Sequence, residues 1–250
     1  MTPLARDIRR HCLTMAHRTQ SSHLASCLSA ADILADLYGG IMRVRPEEPD
    51  WPDRDRLIVS CGHKAMAVYA ALAEVGFFPV GRLAEYPKHP FEGHVCRDVP
   101  GVEWSTGSLG HGLPVAVGIA MARPDVRVFC LLSDGDMEEG STLEAIAVAG
   151  ECKLRNLVAV VDANGWTATK RTNNKAFVDY ELLFHDAEWD IDIWPQFWFE
   201  HFDGHNPIVR IYHTKKGAGI SFMEDSNEFH YRAPNGEEYK RALLELEGVQ

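Results

Sequence analysis

The stretch LLSDGDMEEGSTLEAIAVAG, residues 131–150, sets five carboxylates within eleven positions, directly after an apolar run. Asp134, Asp136, Glu138, Glu139 and Glu144 repel one another unless water or a cation separates them. Upstream, residues 126–132 form an apolar run of strand length. Downstream, residues 141–152 carry helical periodicity and residues 157–161 form a second apolar run. Strand, helix, strand in roughly 35 residues is a βαβ unit, and such crossovers join parallel neighbours. The predicted fold is therefore α/β, a parallel sheet flanked by helices.

That reading distributes the acids. Ser141, followed three residues later by Glu144, matches a capping box, so Glu144 is assigned to the helix start rather than to chemistry. Asp134 ends the first strand, and Asn164, in VVDANGW, follows the second. Ligands of parallel sheets gather beyond the carboxyl ends of the strands. A carboxylate and an amide oxygen are hard ligands suited to Mg²⁺ or Ca²⁺. Gly135 lets the backbone approach a phosphate and present its N–H. A metal-diphosphate site is one reading; a plain Asp-Gly turn is the other. An EF-hand fails twice, because Glu139 stands where its sixth-position glycine belongs and Ala145 where its twelfth-position glutamate belongs.

Composition narrows the class. A net charge of −11 over 250 residues argues against a nucleic-acid surface, because phosphate binding needs a basic face. The six cysteines, scattered without a CxxC pair, point to reduced thiols in the cytoplasm, and none has zinc spacing. No apolar run is expected to reach the roughly 18 to 20 residues of a membrane span. The N-terminus lacks the apolar core of a secretory signal.

Further helices are predicted over 3–18, 29–38, 65–76 and 237–248, and an apolar one over 107–121 after a glycine-rich turn. Strands are predicted at 57–60 and 208–212. Residues 45–56 read as a surface loop and 79–104 as irregular. Between 173 and 207 no element is assigned, and the aromatic run WDIDIWPQFWFEHF is read as core or interface. One domain over 1–250 is expected.

SDGDMEEG with Asn164 thirty residues after Asp134 resembles the thiamine-diphosphate motif, GDG followed by Asn about thirty residues on. RPEEPDWPDRDRLIVSCGHKA (45–65), PGVEWSTGSLGHG (100–112), HTKKGAGISFME (213–224) and FHYRAPNGEE (229–238) are similar to transketolase segments in the same order. The resemblance covers most of 5–245 and weakens over 173–207. It implies a thiamine-diphosphate-binding fold and the N-terminal, diphosphate-binding subunit of a split transketolase.

Carried over by position, the resemblance makes Asp134, Asn164 and the Trp166 carbonyl the metal ligands. Gly135 and His63 would contact the diphosphate, Gly107 and Leu109 would lie against the cofactor, and Glu139 would face a subunit interface. His230 would stand near the diphosphate and reacting centre. His23 and His94 would line the substrate channel for proton transfer and hydroxyl recognition, work suited to a group that titrates near neutral pH. Asp136 and Glu138 are left as solvated or outer acids. Thiamine diphosphate would act as electron sink for carbon–carbon cleavage.

The sequence departs from the family at Ser133 for the motif's first glycine, at His23-Leu24-Ala25-Ser26 for HPGG, at Lys64 for a small residue, and at Val95-Cys96 for Pro-Glu. The segment between Asn164 and His213 is short. The family's pyrimidine-binding domain is expected on a separate partner chain, as a heterotetramer acting on a small sugar or 2-oxo substrate, with no nucleic acid and no membrane. Two alternatives stand beside ketol transfer: a 2-oxo acid decarboxylase or carboligase subunit, and a non-catalytic scaffolding subunit.

Overall fold

The computed structural model describes residues 1–172, 179–193 and 204–248. In chain order its main elements are α1 (Pro3–Thr19), α2 (Leu24–Asp36), β1 (Arg56–Val59), α3 (Ala65–Glu74), α4 (Gly112–Ala122), β2 (Val128–Ser133), α5 (Gly140–Glu151), β3 (Leu157–Asp162), α6 (Tyr180–Asp186), β4 (Asp190–Ile193), β5 (Ile208–Tyr212), α7 (Glu228–Tyr231) and α8 (Gly236–Glu247). They fall into two compact units. The first holds Met1–Asp50, His63–Ser105 and Thr214–Gln250, and the second Trp51–Gly62 and Thr106–His213.

The second unit is the predicted parallel sheet. Its order is β1-β2-β3-β5-β4, and every pairing is parallel. VFCLLS and LVAVVD are buried at all six positions, as strands covered on both faces must be, which is why they read as continuous apolar runs. Helix α4 packs on β1, β2 and β3, and α5 packs on α4. Asn156 fixes the turn after α4, with its side-chain amide reaching the carbonyls of Ala120 (3.1 Å), Arg123 (3.0 Å) and Val126 (2.9 Å).

The unassigned segment supplies two elements to this unit. Helix α6 is capped by Asp179, whose side chain accepts the Leu182 amide. Edge strand β4 reads DIDI and is only half-buried, so it gives no apolar run to detect. Trp189 anchors its start, donating from the indole to the Ile146 carbonyl at 2.9 Å. The rest of the aromatic run, 194–203, lies outside the described residues.

The first unit is helical, with α1, α2 and α3 packed on one another, α8 on α1 and α7 on α2. Arg9 is buried and forks onto Asp32. One segment does reach spanning length, against expectation: Leu24–Ile41 is 18 residues with mean hydropathy 1.3, and 78% of it is buried inside the fold. Helix α2 with its terminal π turn (Leu37–Ile41) is thus a core element, longer than the predicted 29–38.

One expectation fails at α5. The helix starts at Gly140 behind Glu139, which makes no side-chain cap bond. Ser141 instead donates from Oγ to the Gly110 carbonyl at 2.8 Å, and Glu144 is exposed. The spacing matched a capping box, but a tertiary contact took the hydroxyl. A capping box forms at α8, where Asn235 and Glu238 exchange bonds at 2.9 and 2.8 Å.

Candidate active site

In the second unit, β2 and β3 are in register with Ser133 opposite Asp162, so Asp134 and the 162–165 turn leave the sheet at the same edge. The Asp134 carboxylate is fully buried. Its Oδ2 accepts the backbone amides of Asn164 (2.8 Å) and Gly165 (3.1 Å), and its Oδ1 accepts hydroxyls from Tyr180 (3.0 Å) and Thr172 (3.2 Å). Asn164 donates from Nδ2 to Asp162 at 3.3 Å and accepts the Trp166 amide on Oδ1 at 3.1 Å. Two of the predicted metal ligands, Asn164 and Trp166, therefore lie on the turn that wraps the third, Asp134.

Burial, and the nearby Asp162 carboxylate, push the Asp134 pKa up to about 6, against the downward pull of the Tyr180 hydroxyl and the two amides. Burial and Asp134 likewise push the Tyr180 hydroxyl up. A buried carboxylate and an amide oxygen on one turn are hard oxygen donors, the chemistry that suits Mg²⁺ or Ca²⁺. On the side expected to meet the diphosphate, a Cβ at Gly135 would come within 2.8 Å of Leu109 Cδ1, so a larger residue there would push the Leu109 side chain aside. Gly107 is exposed on the same TGSLGHG turn.

Of the two readings left for Asp136, a solvated or an outer acid, the structure removes the first. Asp136 is fully buried and accepts four bonds: from Ser60 Oγ (2.6 Å), the Gly110 amide (2.9 Å), and the Ser133 amide and hydroxyl (2.9 and 2.7 Å). It ties the end of β1, the glycine turn and the end of β2 together. Ser133, in place of the motif's glycine, thus serves as a donor within a strand. Gly110 has φ +79°, and a Cβ there would strike Glu139 Cβ at 2.5 Å. Glu139 is exposed, as is Glu138, which pairs with Lys170 at 3.4 Å.

Asp162, Thr172 and Tyr180 escaped sequence reading. Asp162 could have been found by the rule that found Asp134, since it also ends a central strand. Tyr180 could not, because it lies where no element was assigned.

In the first unit four separate segments bring four histidines together. Ring centroids lie 5.5 Å (His23–His63), 5.7 Å (His23–His94), 5.0 Å (His23–His230) and 6.0 Å (His63–His230) apart. His23 sits before α2 in the left-handed region, φ 72°, and its amide donates to the His230 carbonyl at 2.7 Å. Ser26 Oγ lies 3.1 Å from His230 Nδ1. Lys64 is fully buried and donates to the Ser26 carbonyl at 3.2 Å and toward Ser29 Oγ at 3.5 Å.

Burial favours the neutral form of His23, His63 and His230. Burial, then His94 and Lys216, lower the His23 pKa to about 4. Burial, then Lys216, His23 and Lys64, lower that of His230 to about 3. Burial, with Lys64 next, holds His63 well below its usual range. Neutral imidazoles near one another can accept protons and orient hydroxyls.

Residues 2–194 match the family described as transketolase, thiamine diphosphate binding domain. An apulose-4-phosphate transketolase subunit from Phocaeicola vulgatus is 32% identical over 255 residues, 95% of this chain and 90% of that protein. The protein of the same name from Actinobacillus succinogenes is 35% identical over 263 residues, 97% and 94% of the two chains. A solved transketolase from Campylobacter jejuni superposes with a TM-score of 0.84 at 27% identity, over 99% of this chain but 42% of that one. With most of its length inside the family match, and two subunit-sized relatives similar from end to end, the chain belongs to the transketolase family through its thiamine-diphosphate-binding domain.

Proposed function

We propose that the chain is the diphosphate- and metal-binding subunit of a two-component transketolase-like enzyme that moves a two-carbon ketol unit from a donor to an aldehyde acceptor. The observation that carries this reading is the cluster of four histidines around His23, built from four segments, with His23, His63 and His230 held neutral by burial. Such a cluster suits a reaction whose steps move protons on sugar hydroxyls. Near-complete overlap with two proteins named as transketolase subunits supports a separate partner chain.

Thiamine diphosphate would supply the carbon nucleophile and the electron sink. Asp134, Asn164 and Trp166 would hold its Mg²⁺ or Ca²⁺, with Gly135 and His63 toward the diphosphate and Gly107 and Leu109 against the cofactor. His230, His23 and His94 would accept and return hydroxyl protons and orient the donor. Glu139 would face the partner, which would carry the pyrimidine-binding domain in a heterotetramer. Six free cysteines support a reducing, cytoplasmic setting.

The test is reconstitution with the neighbouring reading frame's product. Ketol transfer from the pair, on a panel of ketose and 2-oxo acid donors, is expected, with little or none from this chain alone. Strong activity without a partner sinks the split-subunit reading. Inactivity of the pair together with loss of cofactor binding sinks the catalytic one.

A further inference from the structure

We propose that His89, Cys96 and Asp98, in the loop that carries His94, form a second metal site, of a kind that takes Zn²⁺. One ligand atom from each lies within 4.8 Å of the others. The His89 Nε2 to Asp98 Oδ2 distance is 3.3 Å. Two ligands at about 2.0–2.1 Å from a tetrahedral ion subtend an edge of about 3.4 Å, so this pair already stands at coordination spacing. Nitrogen, thiolate and carboxylate together are a borderline donor set suited to zinc rather than to magnesium or calcium.

The surroundings fit this assignment. Glu92 Oε1 lies 3.2 Å from His89 Nδ1. A carboxylate taking the Nδ1 proton leaves the Nε2 lone pair free to face Asp98 and Cys96, the outer arrangement that orients most metal-bound histidines. The backbone around the thiol is fixed: Tyr69 accepts the Cys96 amide at 3.1 Å and donates to the His94 carbonyl at 2.9 Å, while Ser105 accepts the Arg97 amide at 2.9 Å. His89 and Asp98 side chains are 62% and 60% exposed, so an ion has a solvent path in and a water can complete its shell. Closing the widest gap asks the ligands to move by about 1 Å, within reach of a cysteine rotamer. Cys96 stands at one of the positions where this chain departs from its family's motif. The bound ion would tie residues 89 and 98 together across His94.

The experiment uses the whole chain, reduced and stripped of metal, without thiamine diphosphate, and Co²⁺ as the optical probe. A thiolate-to-cobalt charge-transfer band should rise to saturation at a single equivalent and be displaced by Zn²⁺. Cys96→Ser and His89→Ala should abolish it, and Glu92→Gln should weaken Zn²⁺ affinity by about ten- to hundredfold. Cys152→Ser and Asp134→Ala should leave it intact, separating this site from the exposed thiol and from the diphosphate site. Because the His89 and Glu92 side chains are exposed, His89→Ala and Glu92→Gln should melt with the parent when metal-free. No band in the parent chain, or a band that survives Cys96→Ser, overturns the assignment.

Discussion

Asp134 Oδ2 accepts the backbone amide of Asn164 at 2.8 Å, so the acid ending one strand organises the turn that carries Asn164, its proposed co-ligand, after the next. The two groups are thirty residues apart in sequence and would act as one unit. Asp134→Ala should therefore lose Mg²⁺-dependent binding of thiamine diphosphate by at least about tenfold, since metal ligands and their orienting partners are worth that much. Asn164→Ala should do the same while leaving the Gly165 bond in place. Isothermal titration with and without Mg²⁺ checks both; unchanged affinity would remove Asp134 from the metal site.

Asp136 and Glu138 look alike in sequence and should behave oppositely. Asp136→Ala strands four buried donors, each costing about 1–3 kcal/mol when unsatisfied, so a loss of about 3 kcal/mol or more is expected in urea unfolding. Glu138→Gln disturbs one exposed ion pair and should stay within about 0.5 kcal/mol.

The histidine cluster makes stability depend on pH in a defined direction. The folded-state pKa values of His23 and His230, about 4 and about 3, lie below the unfolded value of 6.5. Between those limits the unfolded chain binds protons that the folded chain does not, so stability falls as pH drops below about 6.5 and is fully present above it. His23→Gln should flatten that fall by up to one proton. Urea midpoints from pH 4 to 8 measure the slope; an equal slope in parent and variant would contradict the neutral assignment.

Lys64 and Ser26 replace small family residues together, and they are joined by the 3.2 Å bond from Nζ to the Ser26 carbonyl. Removing the buried cation in Lys64→Met should raise the His230 pKa, read by NMR titration of its ring protons. In the reconstituted pair, Ser26→Ala, which deletes the bond to His230 Nδ1, should lower kcat by about a hundredfold, the low end of a proton-transfer contribution of about 10²–10⁴. The KM for cofactor should change little.

Much of this was legible because β2 and β3 are covered on both faces and advertise it with unbroken apolar runs. The βαβ unit and the edge shared by Asp134 and Asn164 follow from that, whereas the four histidines were singled out only by the family resemblance. Charge was the poorer guide. Asp136 is as buried as any leucine, yet an acid's burial depends on donors from three distant segments, which no local spacing reveals. Glu144 shows the converse, a local capping signal overruled when Ser141 found Gly110. Strand β4, alternating acids with isoleucines at a sheet edge, has too weak a pattern to stand out.

The tie from Asp136 to the Gly110 amide gives the TGSLGHG turn an unusual kinetic status. Turns of glycine and serine ordinarily open locally and exchange their amide hydrogens quickly. Here the donor is buried against a carboxylate that also holds the ends of β1 and β2, so the amide is freed only when that part of the sheet opens. The Gly110 hydrogen should exchange as slowly as those of the central strands. The loop expected to meet the cofactor would then arrive already rigid, with its ordering entropy spent during folding rather than at binding.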